Sequence, residues 1–271
     1  RQQQLEKISE ICLFNSSSLQ QALLYCSRNG IGALRVNSQI LPLKTHPEIG
    51  YDMLELPAAS LIMDQFRLCG NFAANNNIRT SFHPDQFVLL SSPHEQVTER
   101  SVAELIYQSE VAEWINADVI NIHAGGSYGD KQAALERLKS NHDLLPEQVK
   151  SRLTLENDDL IYTPADLLPL CREMHIPLVY DIHHHRCLPD NFTEEEATAL
   201  ALETWNREPL FHLSSPRNGW HKPGCRLHHD YIDPEDFPEL WKQLDVTVEI
   251  EAKGKELAVL RLAEYLKQSL S

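Results

Sequence analysis

Short apolar runs alternate with longer amphipathic stretches along nearly the whole chain. The runs are GALRV (32–36), IRTSF (78–82), VINI (119–122), LTL (153–155), PLVY (177–180), LFHL (210–213) and VTVEI (246–250). Each reads as a strand covered on both faces. Helix-like segments intervene at roughly 18–29, 57–75, 95–116, 130–141, 164–175, 193–205, 234–243 and 255–269. Gly30 suits a helix end, and Thr163-Pro164 and Asp233-Pro234 suit helix starts, a capping side chain followed by proline in the first turn.

Alternation of this kind predicts a parallel sheet with helical crossovers. Eight such units close a barrel. The expectation is an α/β fold, a (β/α)8 TIM barrel forming a single domain over residues 1–271. The chain opens on a helix-like stretch, so the first strand is expected to be missing from it.

Ionisable residues then add a second pattern. His83 follows IRTSF, His123 follows VINI, Glu156 follows LTL, Asp181 follows PLVY with His184 three residues on, His212 lies within LFHL, and Glu251 follows VTVEI. His46 lies in the loop after GALRV. In a barrel these strand ends share one face, where active sites sit. A single histidine after a strand is usually a cap or a satisfied polar group. A His, Asp or Glu at almost every strand end predicts a multinuclear metal site. Glu249 alternates with Glu251, so only one of them is expected to face inward. His183, His184 and His185 are expected not to ligate together for the same reason. Mixed imidazole and carboxylate donors suit Zn²⁺, Mn²⁺ or Fe²⁺ better than Ca²⁺. Two or three ions fit so many donors, and such a site clamps a phosphoester and generates hydroxide at neutral pH.

The formal charge of −15 argues against a broad nucleic-acid surface. Bound divalent ions reverse that logic locally. Arg35, Arg79, Arg186, Arg217, Lys222, Arg226 and Lys253 fall near predicted strand ends or the loops after them, where they would form a basic rim. No run of 18 apolar residues and no secretory pattern is found, so no membrane span is expected. Six cysteines without a CxxC pair predict free or buried thiols in a reducing compartment.

The segments SFHPDQFVLLSSP (81–93), VINIHAGGSYGDK (119–131), LTLENDDLIYTPADLLPLC (153–171), IPLVYDIHHH (176–185), FHLSSPR (211–217), LHHDYID (227–233) and VEIEAKGKE (248–256) resemble the ultraviolet damage endonucleases. The resemblance runs from about residue 30 to 267, with the motifs in order. The wider group includes endonuclease IV and sugar isomerases of the same barrel type. The resemblance implies a DNA repair enzyme that nicks 5′ to cyclobutane dimers and 6-4 photoproducts, leaving a 3′-hydroxyl and a 5′-phosphate. It implies two or three divalent ions, manganese first, with zinc or magnesium as alternatives. The implied metal ligands are His83, His123, Glu156, Asp181, His184, His212, His228 and Glu251. Glu156, Asp181, His228 and Glu251 are the implied catalytic residues. Gln86 and Phe87 stand where the family carries a Gln-Tyr wedge, and Arg35, Arg186 and Lys222 are the expected DNA contacts. His46, His229 and Asn157 are second-rank candidates.

Leu210 stands where the family often has a lysine that can be carboxylated, and Phe87 lacks the tyrosine hydroxyl. The expected partner is double-stranded DNA bearing ultraviolet lesions, bound by a monomer inside the cell, nucleoid-associated or nuclear. The competing readings are a sugar isomerase or epimerase of the same barrel type and a lesion-binding protein without activity.

Overall fold

The computed structural model describes residues 1–269, in two compact units, Arg1–Leu153 and the residues from Thr154 onward. In the first unit, α1 (Gln2–Asn29) turns Ile8, Cys12, Leu19, Leu23 and Cys26 to one buried face. That is a spacing of three, four and seven, the helical repeat. The helix ends at Gly30, whose φ of 69° is left-handed and whose N–H returns to the Cys26 carbonyl. β1 (Ala33–Val36), β2 (Arg79–Phe82) and β3 (Val119–His123) follow, separated by α2 (Ala59–Asn75) and α3 (Glu95–Ile115). β1 pairs parallel with β2, aligning Val36 with Phe82, and β2 pairs parallel with β3, aligning Phe82 with Ile120. α4 (Lys131–Asp143) and the single turn α5 (Glu147–Lys150) complete the unit.

The helices lie close to one another because α2 carries a glycine at the crossing. A β-carbon on Gly70 would stand 2.7 Å from the Ile115 backbone at the end of α3. One turn away, Phe66 is fully buried and stacks against Trp114 at 6.2 Å between ring centroids. Burying such a ring contributes about 1.5–3 kcal/mol.

The second unit begins in β4 (Leu153–Glu156) and adds α6 (Pro164–Met174), β5 (Leu178–Val179), α7 (Ile182–Cys187), α8 (Glu194–Leu202), β6 (Leu210–Leu213), β7 (Thr247–Ile250) and α9 (Glu256–Ser269). β4 pairs parallel with β5, and β6 with β7 in a register that sets His212 beside Glu249. A parallel bridge joins Asp181 to His212. Thr163 and Asp166 form the capping box that starts α6, and Thr193 and Glu196 the one that starts α8.

Strand positions and parallel pairing agree with the sequence pattern. Three elements differ. The first helix is longer than the expected 18–29, because polar residues 2–17 still carry an apolar stripe. The expected helix over 234–243 is two 3-10 segments, Pro234–Asp236 and Glu239–Gln243. Pro238 forbids the α conformation at Phe237, which is extended at ψ 119°. The histidines after β5 lie on the helix α7, not in an extended segment.

Replacing Gly70 with alanine forces a β-carbon into backbone that cannot rotate away. We expect a loss of about 1–3 kcal/mol in urea unfolding. An unchanged midpoint would show that α2 and α3 separate freely.

Candidate metal centre

Three acidic residues enter the second unit with almost no exposure. Glu156 ends β4 and Asp181 follows β5, both at 0% exposure, and Glu249 lies in β7 at 8%. Imidazoles face them. His212 Nδ1 is 3.1 Å from Glu156 Oε1 and 3.4 Å from Glu251 Oε1, while its Nε2 is 3.5 Å from Glu249 Oε2. His184 Nδ1 is 3.3 Å from Glu156 Oε1 and 3.6 Å from Asp181 Oδ2. His228 Nδ1 is 3.6 Å from Glu251 Oε2. One ligand atom each from Glu156, Asp181 and His184 lies within 4.8 Å of the others.

Local chain geometry delivers these groups. Asp181 caps α7, its Oδ1 accepting from the His184 amide at 2.8 Å. Asn157 brackets Asp181, accepting from its amide at 2.9 Å and donating to its carbonyl at 2.8 Å. His184 donates Nδ1–H to the Asn157 carbonyl at 2.9 Å, which leaves the lone pair on Nε2. This is the backbone hold that orients metal-binding imidazoles. Along α7 each residue turns by about 100°. His183 therefore donates to the Ser214 carbonyl at 3.1 Å, while His185 accepts from the Tyr180 hydroxyl at 2.7 Å and donates to Asp190 at 3.1 Å. The three histidines diverge by helical rotation, not by strand alternation.

Glu249 corrects a second expectation, since both it and Glu251 reach His212. Positions 249 and 251 are two apart, so strand alternation sets them on the same face rather than on opposite ones. The paired register of His212 with Glu249 was invisible in the sequence. Glu249 was weighed against Glu251 in the sequence and left out of the implied ligands.

In the first unit His83 follows β2 and His123 ends β3, with ring centroids 5.1 Å apart. Gln86 is exposed, and Phe87 is 72% exposed in an irregular segment. Phe87, Lys44 and His46 line a cleft of about 610 Å³ with Leu41, Leu43 and Tyr107. His46 Nδ1 accepts from the Glu48 and Ile49 amides in a turn. Arg35 is half-buried in β1.

In the second unit Lys222 is exposed in the loop after β6. Arg186 is engaged within its own unit. It makes two 2.8 Å bonds to Glu194, donates to the Asp236 carbonyl at 3.0 Å and lies over the Trp220 ring at 5.4 Å. Asp236 in turn accepts from Trp220 Nε1 at 2.7 Å and from Ser215 at 2.5 Å. The geometry makes Arg186 a tie between loops, so contact with DNA would require it to leave Glu194. His229 Nδ1 accepts from the Tyr231 amide at 3.0 Å, a turn contact. Leu210 is a buried apolar side chain at the start of β6.

The sequence profile described as UV-endonuclease UvdE matches residues 1–270. The chain belongs to that family. It is 35% identical to the UV DNA damage endonuclease of Bacillus velezensis over 278 aligned residues, covering 98% of this chain and 84% of the relative. The crystal structure of SacUVDE matches with a TM-score of 0.87 at 27% identity, over 97% of this chain and 89% of that one. Endonuclease IV from Thermus thermophilus matches with a TM-score of 0.64 at 18% identity, over 92% of this chain and 94% of that one, which is a likeness of fold. The fold is that of the α/β TIM-barrel endonucleases, and the chain is an endonuclease by family. Among the described residues, no helix is long and apolar enough to cross a membrane.

The electrostatics of this UvdE-family centre are those of a site made for cations. Asp181 Oδ2 is buried with no hydrogen-bond donor. Burial raises the Asp181 carboxyl to about 6, against the pull of His184, and Glu156 and Glu251 push it the same way. Burial disfavours charge on His184, yet Asp181, Glu156 and Glu251 outweigh it and raise that imidazole well above its ordinary range. Asp181 and His184 thus keep their protons to higher pH than usual, where a cation would otherwise supply the positive charge.

Both groups bind protons more tightly folded than unfolded. Their contribution to stability is complete below the unfolded values and is lost as pH rises through the folded ones. Chelator-treated protein should therefore lose stability as pH rises from about 4 to about 6, where Asp181 gives up its proton, and again above about 6.5, where His184 gives up its own. His184→Gln should flatten the second fall. Thermal melts across the range test it, and stability that climbs above about pH 6.5 would contradict it.

Proposed function

We propose that this chain is a metal-dependent repair endonuclease that cuts duplex DNA on the 5′ side of ultraviolet photoproducts, leaving a 3′-hydroxyl and a 5′-phosphate. The family supports the reaction class. The buried Glu156–Asp181–His184 group, with one ligand atom each within 4.8 Å, is the observation that carries the chemistry. The donor set fits a divalent cation: two buried carboxylates, one with an oxygen lacking a donor, and an imidazole whose other nitrogen is already held.

Glu156, Asp181, His184, His212, His228 and Glu251 are the proposed ligands from the second unit. His83 and His123 are proposed on their motifs, HPDQ and NIHAGG, in the first. Manganese is the proposed ion, with zinc and magnesium as the alternatives. Bound ions of this kind polarise a phosphodiester and lower the pKa of water.

The chain's own residues do the rest. Asn157 holds the Asp181 backbone, and Asp181 holds the first turn of α7, so the carboxylate and His184 move together. Glu249 fixes one face of His212 and leaves Nδ1 toward Glu156 and Glu251. Glu249 is therefore a positioning residue. Exposed Phe87 and Gln86 are the proposed wedge, since photoproducts already weaken stacking and open at less cost than an intact step. Lys222 and Arg35 are proposed backbone contacts. Buried Leu210 leaves this chain without the lysine that relatives often carry, so the proposed ligand set is complete without it.

A duplex with one defined photoproduct, incubated with and without Mn²⁺, tests the reading. The expected result is a single Mn²⁺-dependent nick 5′ to the lesion. Glu156→Gln should slow it by more than about 100-fold while lesion binding persists, because a neutral amide cannot balance the cations. Binding without any nick would make the chain a lesion-binding protein, and an active Glu156→Gln enzyme would remove the residue from the reaction. Phe87→Ala should reduce the ratio of damaged to intact affinity by about tenfold at fixed salt. An unchanged ratio would place the wedge on other residues.

A further inference from the structure

Cys187 closes α7 three residues after His184, and Cys225 lies three residues before His228. Their sulfur atoms are 3.9 Å apart, with the Cys187 thiol donating to Cys225. Both are partly exposed. The other four cysteines are buried, with Cys12 against the Tyr51 hydroxyl and Cys69 against the Ser16 carbonyl. We propose that Cys187 and Cys225 are an oxidisable dithiol that a hydroperoxide closes into a disulfide, tying the loop that presents His228 to the end of α7. The cross-link rests on this geometry alone, while its effect on cutting also rests on the nuclease reading.

The surrounding chain permits the closure. A disulfide needs its sulfurs at about 2.05 Å. Cys225 sits on the return limb of the loop 217–227, which is closed at its base by the Arg217 amide on the Leu227 carbonyl at 2.6 Å and by the bridge between Pro216 and His228. Gly219 and Gly224 in that loop both have positive φ, so its backbone can adjust where other residues would strain. Arg226, next to Cys225, reaches Asp159 at 3.6 Å.

The chemistry balances with one hydroperoxide. Cys225 gives its proton to solvent and its sulfur attacks the O–O bond, forming an S–O bond and breaking O–O; the hydroxide released, or the alkoxide from an alkyl hydroperoxide, takes up that proton. Burial and the Cys225 sulfur push the Cys187 thiol up to about 12, so Cys225 is the sulfur that acts first. The Cys187 sulfur then attacks the Cys225 sulfenic acid. The S–S bond forms, the S–O bond breaks, and water leaves with the Cys187 proton. Two thiols are oxidised by two electrons, and hydrogen peroxide is reduced to two waters. Closure draws Cys225 toward α7 and shifts His228, whose Nδ1 is 3.6 Å from Glu251. Cutting should then slow.

The test treats the purified full chain with hydrogen peroxide and reads intact mass and non-reducing peptide maps. The expected product has lost two hydrogens and carries a Cys187–Cys225 cross-linked peptide, reversed by dithiothreitol. Cys187→Ser and Cys225→Ser should each abolish it. Sulfenic or sulfinic adducts without that peptide, or cross-links between chains, would overturn the proposal. Wild-type maps decide this even where a variant folds poorly. In the second arm, the cross-linked protein should nick lesion-bearing duplex about tenfold or more slowly than the reduced protein. Oxidised Cys225→Ser should cut as fast as its reduced form. A cross-linked protein with full cutting would overturn the coupling. A reduced protein that never cuts would sink the nuclease reading, while the mass readout still decides the dithiol.

Discussion

Everything in the second unit depends on keeping two fully buried carboxylates next to each other. Glu156 and Asp181 are both sealed from solvent, with Glu249 and Glu251 beside the same histidine. Burying one isolated carboxylate costs several kcal/mol. Hydrogen bonds recover part of this, but Asp181 Oδ2 finds no donor. Protons on His184 and Asp181 recover more, which is why both titrate upward. A chain that needed only stability would place apolar residues here. Positive charge from outside the chain is the compensation that also gives the arrangement a use.

The fold exists to make that concentration of charge possible. Parallel pairing brings the ends of β4, β5, β6 and β7 into register, and the Asp181–His212 bridge carries the order across. Thr163, Thr193 and Asp181 start the helices that follow the strands. The loops above are tied by polar side chains rather than by apolar packing. Asp236 alone joins Trp220, Ser215 and the Arg186 stack. Such ties fix the loop that carries His228 and hold Arg186 against Glu194.

Much of this was legible because apolar runs announce strands and the polar residue after each run announces what the strand delivers. IRTSF, VINI and LFHL needed no structure to be placed. The misses have physical causes. α7 is only six residues long, and it begins two residues after a strand of two, so no period could be read. Asp181 hides a cap inside a ligand motif. The pairing of His212 with Glu249 is a matter of register, which single-strand alternation cannot supply. Pro238 broke a helix whose composition looked sound. The overall charge of −15 was misleading in the same way, since a cation-binding centre needs acids whatever the rest of the surface presents.

The central claim is that the buried acids of the second unit are a cation site. Crystals grown or soaked with Mn²⁺ and measured at the manganese absorption edge test it most directly. The account predicts anomalous density within about 2.0–2.3 Å of Glu156, Asp181 and the His184 Nε2 atom. Saturating Mn²⁺ with no anomalous density among those three side chains would contradict it.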